Sequence, residues 1–385
     1  MTHAFLIVLA SYALTVIVLE GVFLKRFFSP APGSDAALGR SVNWRRITVK
    51  LLGLYGTLGV LALAYAAFPE YRGNFFSRYW EMLQTVFWPM VILSVPYFIV
   101  IDRGLAEPED GTWHAGQFFL GNWGQSDKKI LGQHALGWLV KAFFLPLMYT
   151  YFTNDLIRLR EADLHAATTG FMEFFQLAND LIFFVDVGLT TAGYLLTMRL
   201  FDSHIRSTEP TFFGWWVALV CYKPFWGSIS NGYLWYEGDG YQWTQWLSHQ
   251  PMLQAGWGLM ILLCYLLYVS ATVSFGIRFS NLTHRGIVTG GPYRWTKHPA
   301  YVGKCLSFWL ISIPFIPKND PVLALKSCLL LLGVNGVYYL RARTEERHLS
   351  KDPIYVQYAL AMNEKSIFGP LGKIMPFLWY RPPVS

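Results

Sequence analysis

Two polar stretches in an otherwise apolar chain carry residue types that could act together on a ligand. The first, residues 283–303, reads THRGIVTGGPYRWTKHPAYVG, and the second, residues 341–349, reads RARTEERHL. Gly290, Gly291 and Pro292 allow a turn in which backbone comes close to a bound molecule. Tyr293, Trp295 and Tyr301 offer ring faces to an adenine or to a sulfonium cation. His298 precedes Pro299, which biases its backbone toward extended conformations and fixes the imidazole at the start of a helix, with the proline in the first turn, where it is tolerated. Arg341 and Glu345 are four residues apart, so on a helix they project from one face, where one could hold an anionic acceptor and the other the amino-acid or ribose end of a cofactor. Together these residues describe a nucleotide-like cofactor site.

The elements that position them are apolar. Of the 385 residues 54% are hydrophobic and 17% aromatic, and only 14% are charged, against about a quarter in a soluble domain. A spanning helix needs about 20 apolar residues at about 1.5 Å of rise each. Nine stretches qualify or nearly do, near 4–24, 48–68, 82–101, 134–152, 171–196, 212–229, 252–275, 301–316 and 321–340. Met1 to Leu24 lacks the basic start and small-residue cleavage site of a signal peptide, so the first helix is expected to stay. The expected class is all-α, a polytopic membrane protein of about nine transmembrane helices. Its last two helices form a hairpin around the turn Pro317 to Asp320, which brings the two polar stretches to one membrane face as a small cytosolic cofactor site.

The net charge of +7 comes from basic residues in the short segments between apolar runs, not from a stripe interleaved with aromatics, so they read as topology signals and not as a nucleic-acid surface. Lys25, Arg26, Arg40, Arg45, Arg46 and Lys50, and then Arg278, Arg285, Arg294 and Lys297, belong on the cytoplasmic side. Nine crossings put the amino terminus outside and the carboxyl terminus inside, with Arg341, Arg343, Arg347 and Lys351. The loop 230–250, rich in Tyr and Trp, then lies on the opposite side as an interfacial lid or anchor, and Trp215 and Trp216 also suit an interface. Cys221, Cys264, Cys305 and Cys328 fall in apolar runs, too far apart for a CxxC motif, and read as small buried side chains. His284 and His298 lack metal-ligand spacing, so no metal is expected. Glu173, Asp180 and Asp186 lie within or beside the fifth apolar run, where charge is costly; they serve either an acceptor headgroup or helix packing against Lys141 or Lys223. No internal repeat and no matched pair of broken spans suggests the halves of a transporter.

GPYRWTKHPAYVG, Gly291 to Gly303, resembles the pattern G-x-Y-x-x-x-R-H-P-x-Y-x-G, and RARTEERHL followed by Tyr355 and Tyr358 resembles R-x-x-x-E-E-x-x-L…Y-x-x-Y. Both patterns belong to the isoprenylcysteine carboxyl methyltransferases and the related phospholipid methyltransferases. The resemblance covers about residues 252–370 and divides the chain into 1–251, a membrane-spanning region of unassigned function, and 252–385, a membrane methyltransferase core. It implies S-adenosylmethionine as cofactor, held at the cytosolic mouth, with a lipid or prenylated acceptor entering from the bilayer. Val288, Tyr293, His298, Pro299 and Tyr301 match positions that contact the cofactor, Glu345 matches the acidic residue that binds it, and Arg341 matches the arginine that engages the acceptor carboxylate. Lys297 departs from the pattern, which has arginine there; lysine keeps the charge and loses the bidentate fork.

The implied activity is methyl transfer to a membrane-resident lipid or prenylated cysteine. A carboxylate acceptor needs no base and is held by Arg341; an amine needs one, and Glu346 or His298 is the candidate. The competing readings are a nicotinamide-dependent lipid or sterol-type reductase, which needs no dinucleotide fingerprint in the chain, and a transporter or scaffold.

Overall fold

The computed structural model describes residues 2–23, 41–238 and 240–383, so Lys25, Arg26 and Arg40 lie outside the described residues. The elements are α-helices joined by short 3-10 turns, with one ladder of two-residue strands among the described residues, and the chain divides into two units.

The first unit comprises Met1–Asn154, Val187–Pro210 and Gly276–Arg285. It holds α1 (Thr2–Val18), α2 (Trp44–Ala67), α3 (Ser77–Gly104), α4 (Gly111–Phe119) and most of α5 (Lys128–Glu161). Asn43 starts α2 by accepting a hydrogen bond from the Arg46 amide, and Asp110 caps α4 in the same way from Trp113. Two glycines let α2 and α4 touch along their backbones: a Cβ at Gly53 would lie 2.0 Å from the Thr112 carbonyl oxygen, and one at Gly116 would lie 2.0 Å from that of Val49. The ladder pairs β1 (Ser207–Thr208) antiparallel with β2 (Thr283–His284).

Several basic residues with the look of topology signals are engaged inside this unit. Arg46 forks onto Asp102 at 2.8 and 2.7 Å, and the fully buried Lys50 lies 3.1 Å from Asp102 and 3.7 Å from Asp110. Arg278 pairs with Asp202 at 2.8 Å, and the buried Arg285 donates to the carbonyls of Ser203 at 2.6 Å and Phe279 at 2.8 Å. Removing one partner from such a buried pair leaves a charge uncompensated at a cost of about 3–5 kcal/mol.

The second unit comprises Asp155–Asp186, Thr211–Phe275 and Gly286–Ser385. It contains α6 (Leu164–Thr169), most of α7 (Phe171–Leu195), α8 (Phe212–Leu219), α9 (Phe225–Gly232), α10 (Trp243–Trp246) and α11 (Pro251–Phe275). The polar stretches lie on or beside α12 (Pro299–Ser312), α13 (Pro321–Leu349), α14 (Pro353–Lys365) and α15 (Gly369–Ile374). α12 packs closely on α11 at Gly303, where a Cβ would meet the Cys264 carbonyl oxygen at 2.5 Å. Trp243 is buried against Ile261 and Ile313, so it belongs to the core, whereas Tyr233 and Trp235 of the same loop are exposed.

Among the described residues, six helices are long and apolar enough to cross a membrane: Thr2–Gly21, Trp44–Ala67, Asn74–Gly104, Lys128–Glu161, Pro251–Arg278 and Pro321–Leu349. The other three expected spans take different forms. α7 is a continuous helix of 25 residues that carries Glu173, Asp180 and Asp186. The stretch 212–229 breaks into two helices of eight residues each, the second starting after Pro224, which has no amide hydrogen to continue the first. α12 has only 14 residues, about 21 Å of helix against a core about 30 Å thick. Of the α7 carboxylates, Asp180 lies 3.4 Å from Arg158, and Asp186 accepts hydrogen bonds from Thr272 at 2.6 Å and from the Tyr268 hydroxyl.

Candidate active site

The site is built on the two-helix hairpin of the second unit. Gly291 adopts φ +58°, a left-handed conformation in which a Cβ would also strike Ser274 Oγ at 2.5 Å, so the turn before α12 requires glycine. His298 caps α12 with φ −131°, and Pro299 occupies the first turn. The Asp320 side chain accepts from the Val322 amide at 2.8 Å and starts α13 at Pro321. α13 then runs unbroken to Leu349, which places Arg341, Glu345 and Glu346 on a helical continuation of its apolar part.

The two stretches meet through their carboxylates. The Tyr301 hydroxyl donates to Glu345, whose other close neighbours are Arg341 Nε at 3.5 Å and His298 Nδ1 at 3.9 Å. Arg341 is buried, with its guanidinium 5.4 Å from the Tyr222 ring centroid and 5.3 Å from that of Tyr301. Glu346 is bracketed by two cations and an imidazole: Lys297 Nζ at 2.8 Å and His298 Nε2 at 3.2 Å from Oε1, and Arg343 Nη1 at 2.5 Å from Oε2. Burial pulls the Lys297 ammonium below the usual lysine range, and the adjacent Glu346 opposes that shift. The His298 and Tyr301 rings stack, with centroids 5.5 Å apart and planes inclined by 10°.

A cavity of about 350 Å³ opens beside this cluster. Thr296, Lys297, His298, Arg343 and Glu346 form its polar end, and Tyr301, Val302, Cys305, Asn335, Tyr338 and Tyr339 form its walls on α12 and α13. The remaining wall comes from α14 and the segment after it, including Asn363, Phe368, Leu371, Leu378 and Trp379. That segment is tied down by several hydrogen bonds. The Asn363 side chain accepts from the Tyr380 amide at 2.8 Å and donates to its carbonyl at 2.9 Å. Ile367 N–H donates to the Trp295 carbonyl at 3.0 Å, the Tyr339 hydroxyl donates to the Phe377 carbonyl at 3.0 Å, and the Tyr380 and Ser350 hydroxyls are 2.7 Å apart. The volume lies within the range of about 300–1,000 Å³ that small-molecule sites occupy, and a few polar groups at one end of an apolar cavity are their usual composition.

The residues expected from the sequence separate into two groups. His298, Tyr301 and Glu346 line the cavity, and Arg341 and Glu345 join the same cluster behind Tyr301 without lining it. Val288, Tyr293 and Pro299 stand outside it. Tyr293 packs edge-on against Phe275 at 5.4 Å and accepts the Tyr358 hydroxyl at its carbonyl at 2.8 Å, and burial pushes its own hydroxyl well above the usual tyrosine range. Trp295 is 59% exposed and contributes its backbone carbonyl, not its ring face. Arg343, Asn335, Asn363 and Trp379 were not singled out by motif. A lone amide in an apolar helix is a readable signal, and Asn335 carries it; the distant tail residues carry none.

A helical protein with membrane-length spans and a cavity that is charged at one end and apolar along its walls has the features of a membrane enzyme that handles amphiphiles. Residues 252–356 match the model of the phospholipid methyltransferase family, which bears out the resemblance seen in the two motifs. The match runs from α11 into α14 and contains the whole polar cluster; it stops short of the tail that closes the cavity. Comparisons with curated proteins and with solved structures give no match to the chain.

Proposed function

We propose that the chain transfers a methyl group from S-adenosylmethionine to a lipid acceptor, with both ligands meeting at the cavity between α12, α13, α14 and the tail. The observation that carries this reading is the His298–Glu346 pair, 3.2 Å apart, on the wall of a cavity in the segment that matches phospholipid methyltransferases. The residues present suit the cofactor: Lys297 and Arg343 can take its carboxylate, Glu346 its ammonium, and Tyr301 and Tyr338 its base or its positive sulfur. When bound, the cofactor supplies a methyl group that its sulfonium has already made electrophilic.

The protein's task is then alignment and proton handling. Holding donor and acceptor in attack geometry is worth up to about 7–11 kcal/mol. An amine headgroup must lose a proton as it takes the methyl, and His298 is placed to accept it, with Glu346 stabilising the imidazolium. A carboxylate acceptor, such as that of a prenylated cysteine, needs no base and would be held by Arg341. His298 and Glu346 line the cavity, which supports an acceptor that gives up a proton. The buried Arg341 guanidinium between two tyrosine rings keeps the carboxylate reading as the second choice. We place the polar end at the cytoplasmic face, because the end of α13 that carries it holds the basic residues Arg343 and Arg347 and is followed in sequence by Lys351.

Equilibrium binding to the purified protein separates this reading from a reductase. S-adenosylmethionine should bind, and Tyr301→Ala should weaken it at least about tenfold, or 1.4 kcal/mol. Tight NADPH binding with none for S-adenosylmethionine would overturn the proposal.

A further inference from the structure

Asn335 is the only amide side chain between Pro321 and Arg341 on α13. It lines the cavity, and its Oδ1 is buried without a hydrogen-bond partner. An orphaned buried acceptor is destabilising, and the penalty is lifted when a ligand donates to it. The cavity face of α13 runs through Asn335, Tyr338, Tyr339, Ala342, Arg343 and Glu346, the spacing of a single helical stripe. Arg343 follows Asn335 by eight positions, so the two polar positions lie about 12 Å apart along the axis. A ligand that satisfies both carries charge at one end and a hydrogen-bond donor at the other, with a flat or apolar body between Val302, Cys305 and Tyr338.

A side-chain amide offers one acceptor and one donor side by side, which complements the amine and ring nitrogen on an adenine edge; Asn pairs with adenine in this way in nucleic-acid recognition. We propose that Asn335 reads the adenine edge of the cofactor. The base then lies at the Asn335 end of the cavity and the amino-acid end lies at Lys297, Arg343 and Glu346. This rests on the methyltransferase reading and adds a residue that fixes cofactor identity and direction.

The test compares S-adenosylhomocysteine with its analogue lacking the 6-amino group, by equilibrium binding to the full chain. Wild-type protein should prefer the 6-amino ligand by about 10- to 100-fold, the effect of one well-made pairing. Asn335→Leu should bind the two ligands equally, losing more affinity for S-adenosylhomocysteine than for the analogue without the 6-amino group, and its measurable binding of that analogue reports that the site is intact. Asn335→Ala, well tolerated in a helix, is the second variant and should lose the preference in the same way. A preference that survives both substitutions, or none in the wild type, overturns the placement of adenine at Asn335 and leaves the methyltransferase reading standing. Failure of the wild type to bind either ligand overturns both.

Discussion

Glu346 and Glu345 are neighbours in the chain and differ in what they hold. Glu346 is buried, with 5% of its side chain exposed, and brings Lys297, His298 and Arg343 together, whereas Glu345 is 32% exposed and meets Tyr301 and Arg341. Glu346→Ala should therefore destabilise the protein by up to about 3 kcal/mol, the low end of the range for breaking a buried pair because Lys297, His298 and Arg343 are only half-buried, while Glu345→Ala should cost clearly less. Thermal unfolding in detergent checks the order, and equal losses would contradict it. The geometry also accounts for the lysine at 297. Lys297 takes Oε1 of Glu346 and Arg343 takes Oε2, so two separate cations bracket the carboxylate and no single fork is needed there. The meeting of His298, Tyr301, Arg341, Glu345 and Glu346 was legible in the sequence because both motifs flank one hairpin and the helical period puts 341 and 345 on one face. The split between cavity-lining and supporting residues was not legible, because it depends on which way each ring turns within the cluster.

At the scale of elements, α12 is the piece that must be positioned most closely, since it carries His298 and Tyr301. Its contact with α11 is set by Gly303, the last glycine of the first motif, where a Cβ would come within 2.5 Å of the Cys264 carbonyl oxygen and 2.9 Å of the Tyr268 amide nitrogen. Gly303→Val should force the helices apart at a cost of at least about 1–3 kcal/mol and weaken cofactor binding as His298 shifts. A variant that binds as wild type would contradict this. The hairpin turn was readable from Pro317 to Asp320, and the start of α13 from Asp320 followed by Pro321. Helix lengths were less readable: apolar runs at 212–229 and 301–316 are compatible with either spans or shorter buried helices, and Pro224 decided the first case. In the first unit, the segment between α7 and β1 holds a titratable group. Burial, reinforced by Arg199, pushes His204 down to about 4 from its ordinary 6.5. The unfolded chain then binds the proton more tightly, so stability is fully present above about pH 6.5 and falls as the pH drops toward 4. The loss is on the order of 3 kcal/mol at about 1.4 kcal/mol per unit. Thermal melts between pH 7 and 4 should show this slope, and His204→Gln should flatten it.

Over the whole molecule, the sequence was most legible where physics is simplest: an apolar composition indicated membrane helices, and six of membrane length are present among the described residues. Charge was harder to read, because Arg46, Lys50 and Arg278 serve buried or half-buried ion pairs as well as any bias between membrane faces. The tail was silent in the sequence, since nothing in residues 363–380 marks them as a cavity wall, and the family match ends at residue 356. Two of its ties come from Asn363, whose side chain makes both hydrogen bonds to the Tyr380 backbone. Asn363→Ala should loosen the tail at about 1 kcal/mol for each of the two lost bonds, weaken cofactor binding by roughly 10-fold, and make the segment more open to limited proteolysis. Unchanged affinity and protection would contradict a closing role. The central claim is methyl transfer to a lipid, and it is tested most directly by incubating the purified protein with methyl-labelled S-adenosylmethionine and membrane lipids that include amino-headgroup phospholipids and prenylated peptides. Label should appear in the amino-headgroup lipid fraction and fall by about 10²–10⁴-fold in His298→Ala, the usual worth of a general base. Label confined to prenylated peptides and unaffected by His298→Ala would contradict the proposed base and acceptor, and no label in any lipid or peptide would contradict the claim as a whole.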